Sequence, residues 1–413
     1  MRVLVFSWEY PPRVVGGLSR HVQELAKAMS ELAEIHVVTQ ASEGLSPEED
    51  DGGVTVHRVP VAGPHTDDLV KWAMQLCFAM FGRAAGLSEA LGPFDIVHAH
   101  DWLAAYAGAG VKHGLGVPLV STIHATEWGR NWGLHNPLQR QISDIEWYLC
   151  YESWRVIVCS KHMKSELMGV FGVPEDKIEV IPNGVFPEQF READVDMWRE
   201  RYAAPGEDVI LYVGRLVHEK GVHLLVEAMP KILQYWPAAR LIIAGRGPAE
   251  GHLRDLGNRL GLGGKVSLVG FVSDEARNAL YRMARVAVVP SLYEPFGITA
   301  LEAMAAGTPL VVADTGGLSE TVEHSVNGWK FYSGNSGSLA DAVLHLLHEP
   351  ATAKGLAEAA LRAIGDVYDW KKIAQRTIEV YGEVLHKARQ ARMQEPVHVG
   401  SPAAGETRRW AMQ

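Results

Sequence analysis

Short runs of aliphatic and β-branched residues alternate along this chain with longer stretches in which apolar residues recur at helical spacing. Val3–Ser7, Ile35–Thr39, Ile96–His100, Leu119–His124 and Val156–Ser160 predict a first set of strands. Val209–Gly214, Arg240–Gly245, Lys265–Gly270, Val286–Pro290 and Leu310–Ala313 predict a second. Strands alternating with amphipathic helices predict an α/β fold whose parallel sheets are covered on both faces. Between the two sets, Ile181–Phe190 is rich in turn formers and runs into a polar, acidic stretch that ends at Asp208. That is the expected linker, with one doubly wound domain over 1–190 and another over 205–365. Two such sheets in tandem can face each other across a cleft, where α/β proteins place their ligands.

Two stretches lie outside this alternation. From Asp369 to Lys387, Trp370, Ile373, Ala374, Thr377, Ile378, Tyr381 and Leu385 follow a helical period, predicting a helix over about 369–388. It must cover something, either the second domain or, by crossing back, the first. The segment Leu69–Leu91 carries Trp72, Met74, Leu76, Cys77, Phe78, Met80 and Phe81 with only Lys71 and Arg83 basic in its middle. An interfacial membrane helix wants more Lys and Arg, so the expected place is inside the domain or in a subunit interface, which leaves a homo-oligomer open. The chain turns to Pro, Gly, Ser and Ala near its end, and 394–413 is expected to be disordered.

A length of 413 residues exceeds what one core organises, and 21% charged with 47% hydrophobic residues suits a soluble globular enzyme. A net charge of −10 with no internal basic run excludes general nucleic-acid binding. Cys77, Cys150 and Cys159 have neither paired nor metal-type spacing, so a reducing cytoplasm is the expected compartment. No secretory h-region and no charge-free membrane span is present.

The candidate chemistry centres on Ser291–Ala306. Glu294 and Glu302 there bracket a helix expected to open near Ile298 or Thr299. Free amides at a helix start suit a phosphate, whereas carboxylates accept from hydroxyls, so the pattern asks for a ligand that is both anionic and hydroxylated. A nucleotide sugar is such a molecule. Arg215 and Lys220 follow a strand in a glycine-flanked loop, where they could clamp a diphosphate; the plain alternative is a solvated loop paired with Glu219. Gly16-Gly17 precede a helix and allow close backbone approach, or only a tight turn. Leu241–Gly251 imitates a dinucleotide fingerprint, but its glycine spacing is wrong by one residue, which leaves an NAD enzyme as the minor reading and a loop bordering a nucleotide, at Gly245, as the better one. His124 ends a strand at the edge where α/β enzymes hold ligands. His98, His100 and Asp101 imitate a metal cluster, yet alternation on a strand sends the two rings together and Asp101 to the opposite face. Hydrogen-bonded structural histidines are therefore the expected reading there, with a zinc site as the minor one, and Asp194-Val-Asp196 is expected to be chance.

Taken together these runs resemble the retaining glycosyltransferases of the GT-B fold, in particular the large family four with its glycogen and starch synthase relatives. The resemblance spans nearly the whole chain and implies two Rossmann-like domains. Its most specific part is Glu294-Pro-Phe-Gly-Ile-Thr-Ala-Leu-Glu302, which looks like the family's E-x7-E motif, followed by Ala303–Pro309 and Gly316-Gly-Leu-Ser-Glu320. It implies that Glu294 contacts the donor sugar, that Phe296, Gly297, Ile298 and Thr299 give backbone to sugar and phosphate, and that Glu302 holds the ribose. It further implies Arg215 and Lys220 as the phosphate-binding pair, Gly16-Gly17 as the diphosphate loop, and His124 near the donor sugar. The loop around Val272 could hold the base. Trp8-Glu-Tyr-Pro-Pro12 and Val97–Leu103 are most similar to the shorter bacterial and archaeal glycogen synthases, which implies acceptor-side roles for Glu9 and Asp101. One departure is plain: the lysine of the starch synthase pattern Lys-x-Gly-Gly-Leu is Val14 here, with Arg13 beside it.

The activity so implied moves an α-glucosyl unit from ADP- or UDP-glucose to an α-glucan or maltose-1-phosphate-type acceptor, without metal or other cofactor. Departure of the nucleotide diphosphate leaves a second negative charge, which Arg215, Lys220 and the helix start would meet. Another donor sugar, a small acceptor with sucrose, trehalose or mannosyl chemistry, a GT-B-like epimerase or phosphorylase, and a non-catalytic nucleotide-sugar binder are the alternatives.

Overall fold

A computed structural model describes residues 1–191 and 194–394; the expected disordered tail, from 395 onward, lies outside the described residues. Within them the first sheet has eight strands, β1 (Arg2–Phe6), β2 (Glu34–Gln40), β3 (Glu48–Asp50), β4 (Val54–Val59), β5 (Ile96–His100), β6 (Leu119–Ile123), β7 (Arg155–Val158) and β8 (Ile178–Val180). Their order is β3-β4-β2-β1-β5-β6-β7-β8, parallel except for the edge pair β3–β4. The second sheet has six, β9 (Asp208–Val213), β10 (Ala239–Ala244), β11 (Val266–Gly270), β12 (Val286–Val289), β13 (Leu310–Ala313) and β14 (Trp329–Phe331), in the order β11-β10-β9-β12-β13-β14 and parallel throughout. The order of each sheet reverses direction next to its first strand, which opens a crevice at the carboxyl ends of β1 and β5 and of β9 and β12.

Each of the ten expected strands is present, and four others were not anticipated. In β4 the apolar pattern is broken by His57 and Arg58, both buried all the same. The His57 ring stacks 5.3 Å from His36, and Arg58 donates to the Pro11 carbonyl at 2.7 Å and pairs with Glu49. The strands β3, β8 and β14 have three residues each, too few for a period to register.

The apolar segment folds as the helix Leu69–Leu91, started by Asp68, whose carboxylate accepts from the Val70 and Lys71 amides at 3.0 Å each. Its buried residues Val70, Ala73, Leu76, Cys77, Met80, Ala84 and Leu87 share a core with Leu4, Phe6 and Val97 of the first sheet. Full burial of Leu76 or Met80 is worth about 1.5–3 kcal/mol each, enough to explain why this face is turned inward. Phe78 on the other face is exposed. Among the described residues no helix is long and apolar enough to cross a membrane.

The helix Trp370–Gln394 crosses back to the first sheet. Trp370, Ile373, Ala374, Val380, Tyr381 and Val384 are buried with Val3, Val5 and Val22. Trp370 donates through its indole N–H to Glu24 at 2.6 Å, and the Tyr381 hydroxyl lies 2.6 Å from His98 Nδ1.

Candidate functional site

The carboxyl end of β12 leads through Ser291–Gly297 into the helix Ile298–Ala305. Within that turn Glu294 is 6% exposed and accepts from the Ser291 hydroxyl at 2.9 Å and from Lys220 Nζ at 2.7 Å. Its backbone is held by Gly316-Gly317. The Gly317 amide donates to the Glu294 carbonyl at 2.8 Å, and a Cβ on Gly316 would lie 2.2 Å from that oxygen. Gly297 caps the helix at a φ of 104°, a backbone shape that glycine adopts without strain. The Ala300 and Leu301 amides bond back to the Gly297 carbonyl, and the Ile298 and Thr299 amides ahead of them have no partner among the described residues. They are the helix-start donors an anion would take. One turn on, Glu302 is buried, accepts from the Tyr281 hydroxyl at 2.9 Å and lies 3.5 Å from Arg277. Phe296 is buried against the core behind this turn.

Across the cleft sits the loop that follows β1. A Cβ on Gly16 would lie 3.8 Å from Arg215, and one on Gly17 would lie 2.9 Å from Ile298 Cδ1, so the glycine loop, the cation and the helix start border one space. The Arg215 guanidinium lies 3.6 Å from Glu219, the pairing of the plain alternative, and remains partly exposed. Gly245 donates to the Gly270 carbonyl at 2.8 Å, which joins its loop to the one carrying Val272 at the ends of β10 and β11. Glu9, expected on the acceptor side, reaches behind the glycine loop: its carboxylate accepts from the Val15 and Gly16 amides at 2.6 and 3.3 Å. Burial pushes its pKa up to about 7; those amides work the other way, and nearby Asp101 adds to the rise.

Asp101 sits where the strand alternation assumed for it stops. The chain leaves β5 at this residue, with a φ of 59°, and the carboxylate turns to accept from the His124 amide at 2.8 Å. Strand alternation does hold for His98 and His100, whose rings lie 4.2 Å apart on one face. His98 is bonded at both nitrogens, to Tyr381 and Thr122, while His100 Nδ1 lies 3.1 Å from His124 Nε2. Burial first, and Arg130 second, bring the His124 pKa down to about 3.

Several further residues surround this space, some of them outside any motif in the sequence. Arg20, on the helix after the glycine loop, pairs with Asp274 of the second domain. Glu320 accepts from the Lys161 and His162 amides at 2.9 and 2.6 Å, and so caps the helix Lys161–Phe171 from the opposite domain. Ser160 donates to the Pro295 carbonyl at 2.6 Å, and the Tyr293 hydroxyl to Glu166 at 3.0 Å. Arg130 is gathered among Asp101, Glu146 and Glu127. Asp194, of the Asp-x-Asp pair, caps the helix Val195–Tyr202 by accepting from the Met197 amide at 3.3 Å. The three cysteines are free and buried.

Residues 15–189 match the model of glycosyltransferase family 4, and residues 194–363 that of the glycosyl transferases group 1. The chain is 40% identical over 391 residues to an uncharacterised glycosyltransferase of Methanocaldococcus jannaschii, covering 92% of this chain and 98% of the relative. It is 36% identical over 416 residues to a glycogen synthase of Mycobacterium tuberculosis, covering 96% and 98%. The solved structure of Anabaena HepE in complex with UDP-glucose superposes with a TM-score of 0.77 at 22% identity, covering 93% of this chain and all of that one.

Proposed function

The chain belongs to the family-four glycosyltransferases and has their GT-B fold, and we propose that it is a retaining, metal-independent hexosyltransferase that moves an α-glucosyl unit from ADP- or UDP-glucose to an α-glucan. One observation carries the reading: Gly16-Gly17, Arg215 and the amides of Ile298 and Thr299, unpartnered among the described residues, border the same space, with the buried Glu294 before that helix start and Glu302 one turn into it. An anion between two hydroxyl-binding carboxylates is the shape of a nucleotide diphosphate with a sugar on each side. The 36% identity to a glycogen synthase over nearly the whole of both chains supports the glucan acceptor, and the UDP-glucose held by HepE supports the donor class.

In this reading Glu294 and His124 orient the donor sugar and Glu302 binds the ribose. Lys220 and Arg215 meet the charge that develops as the diphosphate leaves, in a cleft where each such contact is worth more than in water. The acceptor hydroxyl approaches from the Asp101 side and passes its proton to a phosphate oxygen. Glu294 is held by Ser291 and Lys220 as an orienting group, so no covalent glycosyl-enzyme is required. Three unpaired buried thiols suit a reducing cytoplasm. The test is incubation with ADP-, UDP- and GDP-sugars, with and without maltose oligomers. Consumption of one glucosyl donor with elongation of the oligomer is expected. No consumption, and no donor that raises the melting temperature, overturns the reading.

A further inference from the structure

Three imidazoles from three separate elements converge beside the donor side of the first domain: His21 on the helix Gly17–Ser30, His100 at the end of β5, and His124 just after β6. Their ring centroids lie 4.6 Å (His21–His124), 5.4 Å (His21–His100) and 5.4 Å (His100–His124) apart. One nitrogen from each can be chosen so that all three lie within 4.8 Å of one another. The transfer proposed above uses His124 alone of the three.

His21 is the telling member. It is 5% exposed, and among the described residues neither ring nitrogen has a partner of good hydrogen-bond geometry. A buried imidazole with both nitrogens unsatisfied costs free energy, about 1–3 kcal/mol for each lost bond, unless something else takes the lone pair. Asn183 reaches the His21 ring as a weak hydrogen-bond partner, and its amide oxygen likewise lacks a well-placed one. His98, although its ring touches that of His100, is excluded as a ligand because Tyr381 and Thr122 occupy both of its nitrogens.

We propose that His21, His100 and His124 form a binding site for one divalent transition-metal ion of the zinc type. Zinc takes imidazole nitrogens at about 2.0–2.1 Å, which puts tetrahedral ligand atoms about 3.4 Å apart. His100 Nδ1 and His124 Nε2 already lie 3.1 Å apart, so only His21 has to swing inward. The ion replaces the shared hydrogen bond of that pair. The proton on one nitrogen moves to the other nitrogen of its own ring, so the ligands bind as neutral imidazoles and no proton is released. With His124 committed to the ion, metal and donor sugar exclude each other. This consequence rests on the function proposed above, whereas the site itself does not.

The test uses the full chain stripped with EDTA and titrated with CoCl2, followed by visible d–d absorption, with ZnCl2 then added to displace the cobalt. One Co2+ per chain with the intense bands of a four-coordinate site is expected. Affinity falls at least about tenfold in His21→Ala and in His100→Asn, is retained with a thiolate charge-transfer band in His21→Cys, and is unchanged in His386→Ala, an exposed histidine on the last helix. Near-UV circular dichroism establishes that each variant is folded. Should His21→Ala not fold, His21→Cys decides through its charge-transfer band. Absence of the bands, or stoichiometric binding that survives His21→Ala, overturns the proposal. If an active donor is found, saturating zinc raises its KM in the native protein and not in His21→Ala; the cobalt spectrum decides the site whether or not any transfer is detected.

Discussion

Lys220 Nζ rests 2.7 Å from Glu294 Oε2, so the cation assigned to the leaving phosphate is bound to the carboxylate assigned to the sugar. The bridge keeps both side chains in place before the donor enters. Lys220→Ala should lower kcat by about 10²–10³-fold, the usual cost of losing one donor to a transition-state anion. It also strands a buried carboxylate, at about 1–3 kcal/mol. The double variant Lys220→Ala/Glu294→Gln should regain most of that stability without regaining kcat, measured by thermal melting and initial rates. Recovery of both would mean that Lys220 serves only the fold.

Arg215 gives the complementary case. Its pairing with Glu219, at 3.6 Å and partly exposed, contributes about 0–1 kcal/mol. Arg215→Ala should therefore lower kcat by about the same 10²–10³-fold while the melting temperature barely moves. A rate equal to the native enzyme's would remove Arg215 from the mechanism.

A Cβ at Gly17 would come within 2.9 Å of Ile298 Cδ1, the far end of a flexible side chain. Gly17→Ala should raise the KM for the donor several-fold by holding the two loops apart, with little loss of stability. Trimming the clash with Ile298→Val should restore the KM in the double variant. If the second change brings no recovery, the loops do not meet during catalysis.

Burial raises the pKa of Glu9 to about 7 from an ordinary 4.5. A raised carboxyl binds more protons folded than unfolded, so its contribution is complete below about pH 4.5 and is lost as pH rises through about 7. Glu9→Gln keeps an oxygen for the Val15 and Gly16 amides and removes the ionisation. Denaturant unfolding from pH 5 to pH 8 should show a shallower fall in stability for Glu9→Gln than for the native protein. Parallel curves would show that Glu9 does not titrate in that range.

Glu320 closes the helix Lys161–Phe171 from the other domain through two backbone amides. Glu320→Ala should cost about 1 kcal/mol, as the loss of a helix cap does, and should widen the cleft by small-angle scattering. Glu320→Gln, which still accepts, should lie between. An unchanged scattering profile in Glu320→Ala would show that other contacts hold the domains together.

The central strands were legible because parallel strands buried on both faces need apolar runs that local sequence displays, as in Val286–Val289. The Glu294–Glu302 turn was legible because its chemistry is written in contiguous residues. What escaped were strands such as Val54–Val59, where His57 and Arg58 are buried through partners on β2 and β3 and so break the period. The interdomain contacts escaped too: Ser160 with Pro295 and Lys161 with Glu320 join positions 135 and 159 residues apart, and although Pro295 and Glu320 lie in motifs, nothing local pairs either with its partner. Asp101 was out of reach of the alternation argument, which holds only while the chain is extended, and a φ of 59° ends the strand at that residue.

Trp370 and Tyr381 complete the core of the first domain from a helix that ribosomes make after the whole second domain. Co-translational folding normally proceeds from the amino end, domain by domain. Here that order is inverted for part of the molecule: the six-stranded sheet can finish while the eight-stranded one still lacks a wall. The nascent first domain exposes Val3, Val5 and Val22 until the last helix emerges, and this interval is when truncated or stalled chains should aggregate.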